Sequence, residues 1–242
     1  MSNPHAQTSD SLVTPIHLKT HADQPLPTDA AAYLVLANNG LWFCRNHELF
    51  VSSVKARRWP QELARHESSL QLRHPKIPQA MLEKTVGFFD AIAQRDNCEA
   101  GVLLAWDRQQ RRIKLLVPRQ VATVGVGWNG GNYPIDLHYD TPPNLPASWS
   151  IIGDVHSHVY GSAYSSGQDK SDEEYRTGLH LVVGRLDREP PDFHAEYVVD
   201  GERFKLEPEE VLVGYDQRNP HVSQRWLRKV RVKEYSWSTN TH

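Results

Sequence analysis

The sequence contains little cysteine and almost no excess of charge of one sign. Cys44 and Cys98 are the only cysteines in 242 residues, too few for the disulfide framework on which small secreted domains depend. Lys and Arg number 27 against 29 Asp and Glu, a formal net charge of −2. This balance gives no electrostatic reason to expect nucleic acid or an acidic membrane as a partner. We therefore expect a reduced, cytoplasmic setting.

The sequence also lacks a long apolar run. The longest candidates, such as AGVLLAW, have the length of a strand and not of a transmembrane helix. The first thirty residues contain no apolar core of a secretory signal. Hydrophobic residues at 39% and charged residues at 23% are typical of a globular protein. The length suits one large domain, or one domain with a small appendage.

Composition divides the chain into four parts. Residues 1–30 are polar and contain proline, which predicts a flexible lead-in. Residues 31–75 contain short apolar stretches broken by turns, which predicts a small strand-rich region. Residues 76–206 form the predicted main domain. We interpret residues 207–242 as a polar and basic tail, whose run RWLRKVRVK is a solvated face or, alternatively, a docking site for an acidic partner.

Two helices are predicted in the main domain. Pro78 suits the first turn of a helix that extends to about Arg95. Its apolar residues repeat at helical spacing and form one stripe: Leu82, Val86, Phe89 and Ala93. A short second helix is predicted from Ser171 to about Arg176, because Ser171 and Glu174 occupy capping-box positions.

Strands are predicted on both sides of a long loop. CEAGVLLAWD and RIKLLVP read as a hairpin, residues 149–156 as a strand, and LHLVVGRLD and FHAEYVVDGERFKL as further strands. Residues 120–148 contain WNGGNYP and TPPNLP, which predicts a long irregular loop. Its part 127–146 is either a clamp on an extended substrate tail or a floppy insertion. We therefore predict an α/β fold, in which a mixed, mostly antiparallel sheet packs against a long helix.

The stretch GDVHSHVYGSAYSSGQDKSDEE has the spacing of a metal site. His156 and His158 are two apart on a predicted strand, so both imidazoles emerge on the same face. Asp169 follows a loop rich in glycine and serine that can turn back toward them. Two histidines and one carboxylate leave a coordination position open, as catalytic zinc sites do. We therefore predict one zinc per chain; surface histidines and a helix-capping aspartate are the alternative.

Two further residues complete a candidate hydrolytic centre. Zinc acidifies water, but a base must still accept the proton. Glu99 opens a predicted strand directly after the long helix, and a strand beside residues 149–156 would direct it toward the metal. Ser166 lies three residues before Asp169 and can donate its hydroxyl to a developing oxyanion. The alternatives are an ordinary strand-edge charge and an ordinary loop serine.

The other polar residues of this region are interpreted as structural. Ser157 points to the opposite face of the strand. Asp154 shares the face of the histidines and could orient one of them, although a polar strand-edge role is favoured. Asp172, Glu173 and Glu174 are interpreted as charges at a helix N-terminus. The remaining histidines lack ligand spacing and are read as ordinary: His138, His180, His194 and His221.

These residues resemble the JAMM signature, also called the JAB or MPN+ motif. His156, Ser157 and His158, followed by Ser166 and Asp169, match its order and spacing. Glu99 in CEAGVLLA resembles its upstream glutamate.

The resemblance implies a JAB/MPN-like, cytidine deaminase-like mixed sheet flanked by helices over about residues 76–206. It also implies zinc bound by the two histidines and the aspartate, with the glutamate as acid and base and the serine stabilising the tetrahedral intermediate. The chain departs from the usual pattern at Val159, where most members have proline, and in the length of residues 120–148.

The family resemblance also implies an activity and partners. Its members hydrolyse peptide or isopeptide bonds at the C-terminus of ubiquitin or ubiquitin-like proteins. The stretches YLVLANNGLW, LHYDTPPNLP and GDVHSHV are similar to a bacterial subgroup. That subgroup is encoded on mobile elements near a ubiquitin-like protein, the implied substrate, and an activating-enzyme homologue, a further implied partner. The alternatives are a zinc amidase acting on a small peptide or small molecule, and a non-catalytic scaffold of the same fold.

Overall fold

The computed structural model describes residues 14–61, 63–128, 130–173 and 176–235. The chain divides into two compact units, Met1–Ser69 and Leu70–His242. Within the described residues, no helix is both long enough and apolar enough to cross a membrane.

The first unit contains a four-stranded sheet with the order β1-β2-β3-β4. Its strands are β1 (Ile16–Leu18), β2 (Ala32–Ala37), β3 (Gly40–His47) and β4 (Phe50–Lys55). β1 runs parallel to β2 and the other pairs are antiparallel. Residues 1–13 lie outside the described residues, but the flexible lead-in predicted for 1–30 is wrong at β1. In that strand the apolar Ile16 and Leu18 lie opposite Leu34 and Leu36 of β2, so the two strands pair with apolar side chains in register.

The second unit contains the long helix and two sheets. Its elements are α1 (Gln79–Asp96), β5 (Gly101–Asp107), β6 (Arg112–Leu116), β7 (Gln120–Val126), β8 (Asn132–Tyr139), β9 (Trp149–Ser157), α2 (Gly167–Glu173), β10 (Gly178–Gly184), β11 (Asp192–Val199), β12 (Glu202–Leu206), α3 (Pro208–Val211), α4 (Gln224–Leu227) and β13 (Val230–Glu234). One sheet has the order β12-β11-β10-β9-β5-β6 and the other β13-β7-β8. In the six-stranded sheet only β9 and β10 are parallel, so the predicted mixed, mostly antiparallel fold is confirmed.

The long helix α1 lies where the apolar stripe predicts it. All four stripe residues are buried in the core of the second unit: Leu82, Val86, Phe89 and Ala93. Asn97 caps the helix: its N–H donates to the Ala93 carbonyl, and its left-handed φ of 47° turns the chain out of the helix. A Cβ on Gly87 would lie 1.9 Å from the Asn219 carbonyl oxygen. Gly87 therefore allows the C-terminal segment to approach the helix closely.

The long irregular loop predicted for residues 120–148 is wrong for most of its length. β7 and β8 form an antiparallel hairpin there, and its turn is closed by Gly127 N–H donating to the Gly131 carbonyl at 2.8 Å. In QVATVGV the alternate residues Ala122 and Val124 are buried, and such alternation is typical of a strand. The neighbouring glycines and prolines obscure that signal, because they are equally typical of loops.

The polar tail predicted for residues 207–242 is wrong as far as residue 235. β13 pairs in parallel with β7 and completes the three-stranded sheet. Val211 and Val230 are buried in the main core, and the Trp226 ring packs edge-on against Phe88 with centroids 5.6 Å apart. The apolar residues are interspersed among the basic ones of RWLRKVRVK, so charge alone gives a misleading interpretation of this segment. Residues 236–242 lie outside the described residues.

Candidate metal centre

The candidate site is built on β9, which lies between β10 and β5 in the six-stranded sheet. Side chains alternate across a strand, so Asp154 and His156 share one face. Both are buried, with 1% and 6% of their surface exposed. His158 follows directly after the strand, and its ring centroid lies 5.3 Å from that of His156. The structure therefore brings together the two histidines that the sequence selects.

Ser166 and Asp169 form a reciprocal pair at the start of α2. Ser166 N–H donates to Asp169 Oδ2 at 2.7 Å, and Asp169 N–H donates to Ser166 Oγ at 3.1 Å. This is the geometry of a capping box. The capping box predicted from Ser171 is wrong, because α2 begins at Gly167 and Ser171 lies inside it; its predicted partner Glu174 lies outside the described residues. The pair fixes the Asp169 carboxylate at the start of the helix.

Both imidazoles present Nε2 to Asp169. His156 Nε2 lies 3.6 Å from Asp169 Oδ1, and His158 Nε2 lies 3.4 Å from Asp169 Oδ2. His158 Nδ1 is 3.1 Å from the Ser162 carbonyl, which only accepts. Nδ1 therefore carries the proton and Nε2 presents a lone pair. His156 Nδ1 faces Asp154 Oδ1 at 4.0 Å, beyond hydrogen-bond length, and the negative charge favours the same tautomer.

The three side chains fit a divalent metal. His156 Nε2 is buried and has no hydrogen-bond partner among the described residues. One ligand atom from each of His156, His158 and Asp169 can be chosen so that all lie within 4.8 Å of one another. Two imidazole nitrogens and one carboxylate oxygen are ligands that zinc accepts, and three protein ligands are the number found in catalytic zinc sites. The donor set therefore fits the zinc predicted from the sequence.

Glu99 reaches the site through the pairing of β5 with β9. Ser157 N–H donates to the Ala100 carbonyl at 3.0 Å, and Ala100 N–H donates to Ser157 Oγ at 3.1 Å. Ser157 thus has the structural role predicted for it, on the opposite face from the histidines. Glu99 precedes this junction and lines the same cleft as His156 and His158. All five predicted site residues therefore face one cleft.

The electrostatics of the site follow from burial and opposed charges. Burial raises the pKa of Glu99, and the nearby His156 and His158 offset part of that rise. Burial opposes a charge on His156, but Asp154 and Asp169 raise its pKa to about 10. Burial likewise opposes a charge on Asp169, but the two histidines hold its pKa far below the ordinary value. A proton and a metal therefore compete for His156 Nε2.

A buried cluster of charges lies behind His156. His180 Nδ1 is 3.3 Å from Asp154 Oδ2 and 3.4 Å from Glu173 Oε1. The three residues are at most 4% exposed. Arg176 Nη2 is 3.3 Å from Asp154 Oδ2, and Arg203 Nη1 is 2.9 Å from Glu173 Oε2. Charges buried this deeply are costly unless they are paired, and each of these has a partner of opposite sign.

Sequence reasoning missed this cluster. Asp154 is not a strand-edge residue, because β9 lies inside the sheet. Glu173 is not an N-terminal charge, because it is the last residue of α2. His180 is not an ordinary histidine, since β10 pairs with β9 in a register that sets it opposite Asp154. The strand register joins Asp154 to His180, and the placement of α2 brings Glu173 to them. Nothing local in the sequence specifies either contact.

The loop after His158 has a backbone that proline could not adopt. Val159 has a φ of 50°, whereas the proline ring fixes φ near −65°. The valine side chain is buried, with 1% of its surface exposed. A Cβ on Gly184 would lie 2.4 Å from the Ala163 nitrogen, so Gly184 allows this loop to lie against the end of β10. The departure from the common signature at Val159 therefore coincides with a backbone conformation that proline cannot adopt.

The site opens into a cleft of about 900 Å³. One wall is β8, from Pro134 to Tyr139, and another is the loop with Tyr160 and Tyr164. β8 is the edge of its sheet and pairs only with β7 among the described strands. Ile135 lines the cleft and is 39% exposed. An ordered strand edge, and not a floppy insertion, therefore borders the candidate metal centre.

The chain is similar to a protein family and to parts of several solved structures. The model of a family described as prokaryotic homologs of the JAB domain matches residues 20–198. The match starts well before residue 76, so the part of the chain that the family model covers includes most of the strand-rich first unit. No curated protein matches the chain.

Three solved structures are similar to parts of the chain. A JAB1/MPN domain protein from Archaeoglobus fulgidus is 21% identical, with 55% of this chain and 96% of that one covered and a TM-score of 0.31. A structure described as JAMM, a metalloprotease-like zinc site in the proteasome and signalosome, is 24% identical, with 56% and 97% covered and a TM-score of 0.30. A protein from Desulfitobacterium hafniense, solved in solution, is 15% identical, with 68% and 97% covered and a TM-score of 0.33.

Proposed function

The chain belongs to the prokaryotic JAB-domain family, and from that membership and the geometry of its site we propose that it is a zinc-dependent hydrolase of peptide or isopeptide bonds. The observation that carries the proposal is the convergence of two imidazole Nε2 atoms and the Asp169 carboxylate within one cleft, beside Glu99 and Ser166. The family includes zinc metalloproteases of the JAMM type, and this chain retains the residue types that their chemistry requires.

His156, His158 and Asp169 hold the metal. Bound zinc supplies a Lewis acid that polarises a scissile carbonyl and acidifies water. The hydrogen bond from His158 Nδ1 to Ser162 and the carboxylate of Asp154 near His156 Nδ1 favour the tautomer of each neutral ring in which Nδ1 carries the proton and Nε2 can coordinate. The capping box keeps the Asp169 carboxylate facing both rings.

Glu99 and Ser166 act on the substrate. Glu99 accepts a proton from the attacking water and passes it to the leaving amine, a transfer that its partly buried carboxylate is suited to make. Ser166 donates its hydroxyl proton to the oxygen that becomes negative in the tetrahedral intermediate. Neither residue is needed to hold the metal, so the two roles can be separated from zinc binding by mutation.

We propose that the substrate is the flexible C-terminal tail of a ubiquitin-like protein, as a precursor or as a conjugate. An extended tail can add to a free strand edge, where main-chain hydrogen bonds give affinity and side-chain contacts give selectivity. β8 offers such an edge along the cleft, with Ile135 exposed beside it.

The direct test is cleavage by the wild type and by Glu99→Gln. Each protein is loaded with equimolar zinc and incubated with a ubiquitin-like protein that carries a C-terminal extension, and the products are identified by mass. We expect one zinc in both proteins and a cleavage rate at least about 100-fold lower for Glu99→Gln, because a general base contributes 10²–10⁴-fold. An equal rate in both proteins would exclude Glu99 as the base.

The same experiment separates the alternatives. Zinc in both proteins without cleavage would favour a zinc amidase for a small peptide or small molecule, which a panel of acylated amino acids and short peptides then examines. Absence of zinc from both, with an intact fold, would favour a non-catalytic scaffold. Addition of an activating-enzyme homologue to the assay examines whether a partner is required.

A further inference from the structure

The buried cluster behind the metal ligands joins three separate elements. Asp154 lies on β9, His180 on β10 and Glu173 at the end of α2. His180 contacts both carboxylates through Nδ1, at 3.3 Å and 3.4 Å. Its Nε2 lies 3.0 Å from the Arg176 carbonyl, which only accepts, so that nitrogen donates and the ring orientation is fixed. One imidazole therefore holds a sheet strand and a helix end at a set separation.

These two elements carry two of the three metal ligands. His156 is two residues after Asp154 on the same face of β9, and its Nδ1 faces Asp154 Oδ1. Asp169 lies on α2, four residues before Glu173. A displacement of α2 by 1 Å would change the distance between the Asp169 carboxylate and His156 Nε2. The position of α2 relative to β9 thus decides whether the ligands converge.

Arg203 also binds α2, through its guanidinium group. Its Nη1 donates to Glu173 Oε2 and to Glu196 Oε2, both at 2.9 Å. Its Nη2 donates to the Lys170 carbonyl at 3.0 Å. A helix of seven residues has little stability of its own. Its place in the fold therefore depends on these contacts and on the capping box at its first turn.

We propose that Asp154, His180 and Glu173 form a positioning unit, which directs His156 Nε2 toward the metal and holds α2 so that Asp169 reaches it. The inference rests on the proposed zinc centre. Asp154 and Glu173 lie close enough to His156 to hold a metal with it. Arg176 and Arg203 already bring two positive charges to these two carboxylates, so we assign the unit a positioning role. Outer partners of this kind change metal affinity because they fix the orientation of the ligands.

Substitutions that keep side-chain size test the proposal. Asp154→Asn and His180→Gln each remove one half of the Asp154–His180 contact. Asp107→Asn is the matched control, because Asp107 is a buried aspartate, 3% exposed, that accepts hydrogen bonds from Gln109 N–H and Gln110 N–H at the far end of β5. Zinc affinity is measured by competition with a chromophoric chelator, at a temperature at which circular dichroism shows every variant folded.

We expect the zinc dissociation constant to rise about 10- to 100-fold in Asp154→Asn and His180→Gln, the range for loss of an outer partner. Asp107→Asn should lower the melting temperature without changing zinc affinity. The visible absorption spectrum of the Co²⁺-substituted protein gives a second measure. Its bands should shift in the first two variants, because the ligand directions change, and should remain as in the wild type in the control.

Each outcome separates the two hypotheses. A wild type that binds no zinc would overturn the metal centre and this inference together. One zinc per wild-type chain, with affinities and cobalt spectra of all three variants equal to those of the wild type, would leave the centre standing and overturn the positioning role. Two zinc ions per wild-type chain, one of them lost in His180→Gln, would also overturn it, because the cluster would then be a metal site itself.

Discussion

At the scale of single residues, the direction of each imidazole is set by the group behind it. The Ser162 carbonyl lies behind His158, and the Asp154 carboxylate lies behind His156. Both groups act on Nδ1, so both Nε2 atoms remain available to a cation. The third ligand, Asp169, is oriented by the backbone of Ser166. A metal is bound only if the two imidazole nitrogens and the carboxylate oxygen all point to one position. The groups that orient these side chains therefore matter as much as the side chains themselves.

Ser166 is the residue whose two roles can be separated most clearly. We expect Ser166→Ala to retain zinc and to lose about 100-fold in kcat/KM, because one oxyanion donor contributes 10²–10³-fold. The lost capping contact should cost about 1 kcal/mol of unfolding free energy. Steady-state kinetics at saturating zinc and urea unfolding measure the two effects. Ser162→Ala is the control, since Ser162 contacts His158 only through its carbonyl; an equal loss in both variants would contradict the assignment.

At this scale the sequence predicts the centre but not its support. His156, His158, Ser166 and Asp169 lie within one short stretch, so their spacing alone selects them. Asp154 lies on the same strand face as the histidines, so the pattern includes it. Its burial, however, depends on β9 being an inner strand. His180 and Glu173 join it through the register of β10 and the placement of α2, which involve contacts distant in sequence. Local periodicity carries no information on such contacts.

At the scale of elements, the proposed binding of a substrate tail to the edge of β8 leads to a direct prediction. We expect Ile135→Ser to raise KM for a tail substrate about tenfold and to leave kcat unchanged, because the lost apolar burial of about 1–2 kcal/mol affects binding alike in the ground and transition states. Val121→Ser is the matched control. Val121 lies on β7 with a similar exposure, 37% against 39%, and does not line the cleft.

The measurement is a full steady-state profile with a tail substrate of at least six residues. Equal KM values for wild type and Ile135→Ser would show that β8 does not contact the tail. An equal rise of KM in both variants would show that the change is not specific to the cleft. A fall in kcat with KM unchanged would place Ile135 in the reaction itself and contradict a docking role.

A second element of consequence is the clasp between Glu189 and Arg218. Tyr215 hydroxyl and Arg218 N–H donate to Glu189 Oε1 at 2.5 Å and 2.8 Å, and Arg218 Nη1 also reaches Asp90 on α1 at 2.7 Å. Burial opposes the charge, but Tyr215 and Arg218 hold the pKa of Glu189 below its ordinary value. The clasp therefore joins the loop after β10 to the C-terminal segment.

This lowered pKa has a defined effect on stability. A carboxylate whose pKa is lower in the folded state stabilises fully above its unfolded pKa of about 4.3 and loses that contribution as the pH falls through the folded value. The difference in unfolding free energy between wild type and Glu189→Gln should therefore be largest at pH 7 and shrink below about pH 4. Urea unfolding at pH 7, 5, 4 and 3 measures it; a difference that grows as the pH falls would contradict the clasp.

At the scale of the whole molecule, the second unit combines elements that form locally with strands that pair across long distances in the sequence. α1 and the hairpin of β5 and β6 are local, and their periodicities predict them within a few residues. β13 pairs with β7 across more than a hundred residues. Its apolar residues are few and lie among basic ones, so only the folded sheet shows which face is buried. β13 is missed for this reason, whereas the local hairpin of β7 and β8 is missed because its glycines and prolines are equally typical of a loop.

Substitution of Trp226 tests how much the C-terminal segment contributes to the free energy of unfolding. Its ring packs edge-on against Phe88, and Lys84 Nζ lies 4.6 Å from its centroid. We expect Trp226→Ala to lower the free energy of unfolding by about 3 kcal/mol, the lower end for truncation of a packed aromatic. Trp128→Ala is the control, because Trp128 is fully exposed at 110% relative accessibility. Equal urea midpoints for wild type and Trp226→Ala would show that the segment is a dispensable tail.

The central claim is that His156, His158 and Asp169 bind one zinc ion. The most direct measurement is the zinc content of the full chain and of Asp169→Asn, determined by inductively coupled plasma mass spectrometry after loading and gel filtration. The predicted result is one zinc per wild-type chain and less than one tenth of that in the variant, with both proteins folded by circular dichroism. A wild type without zinc, or equal zinc in the two proteins, would contradict the account.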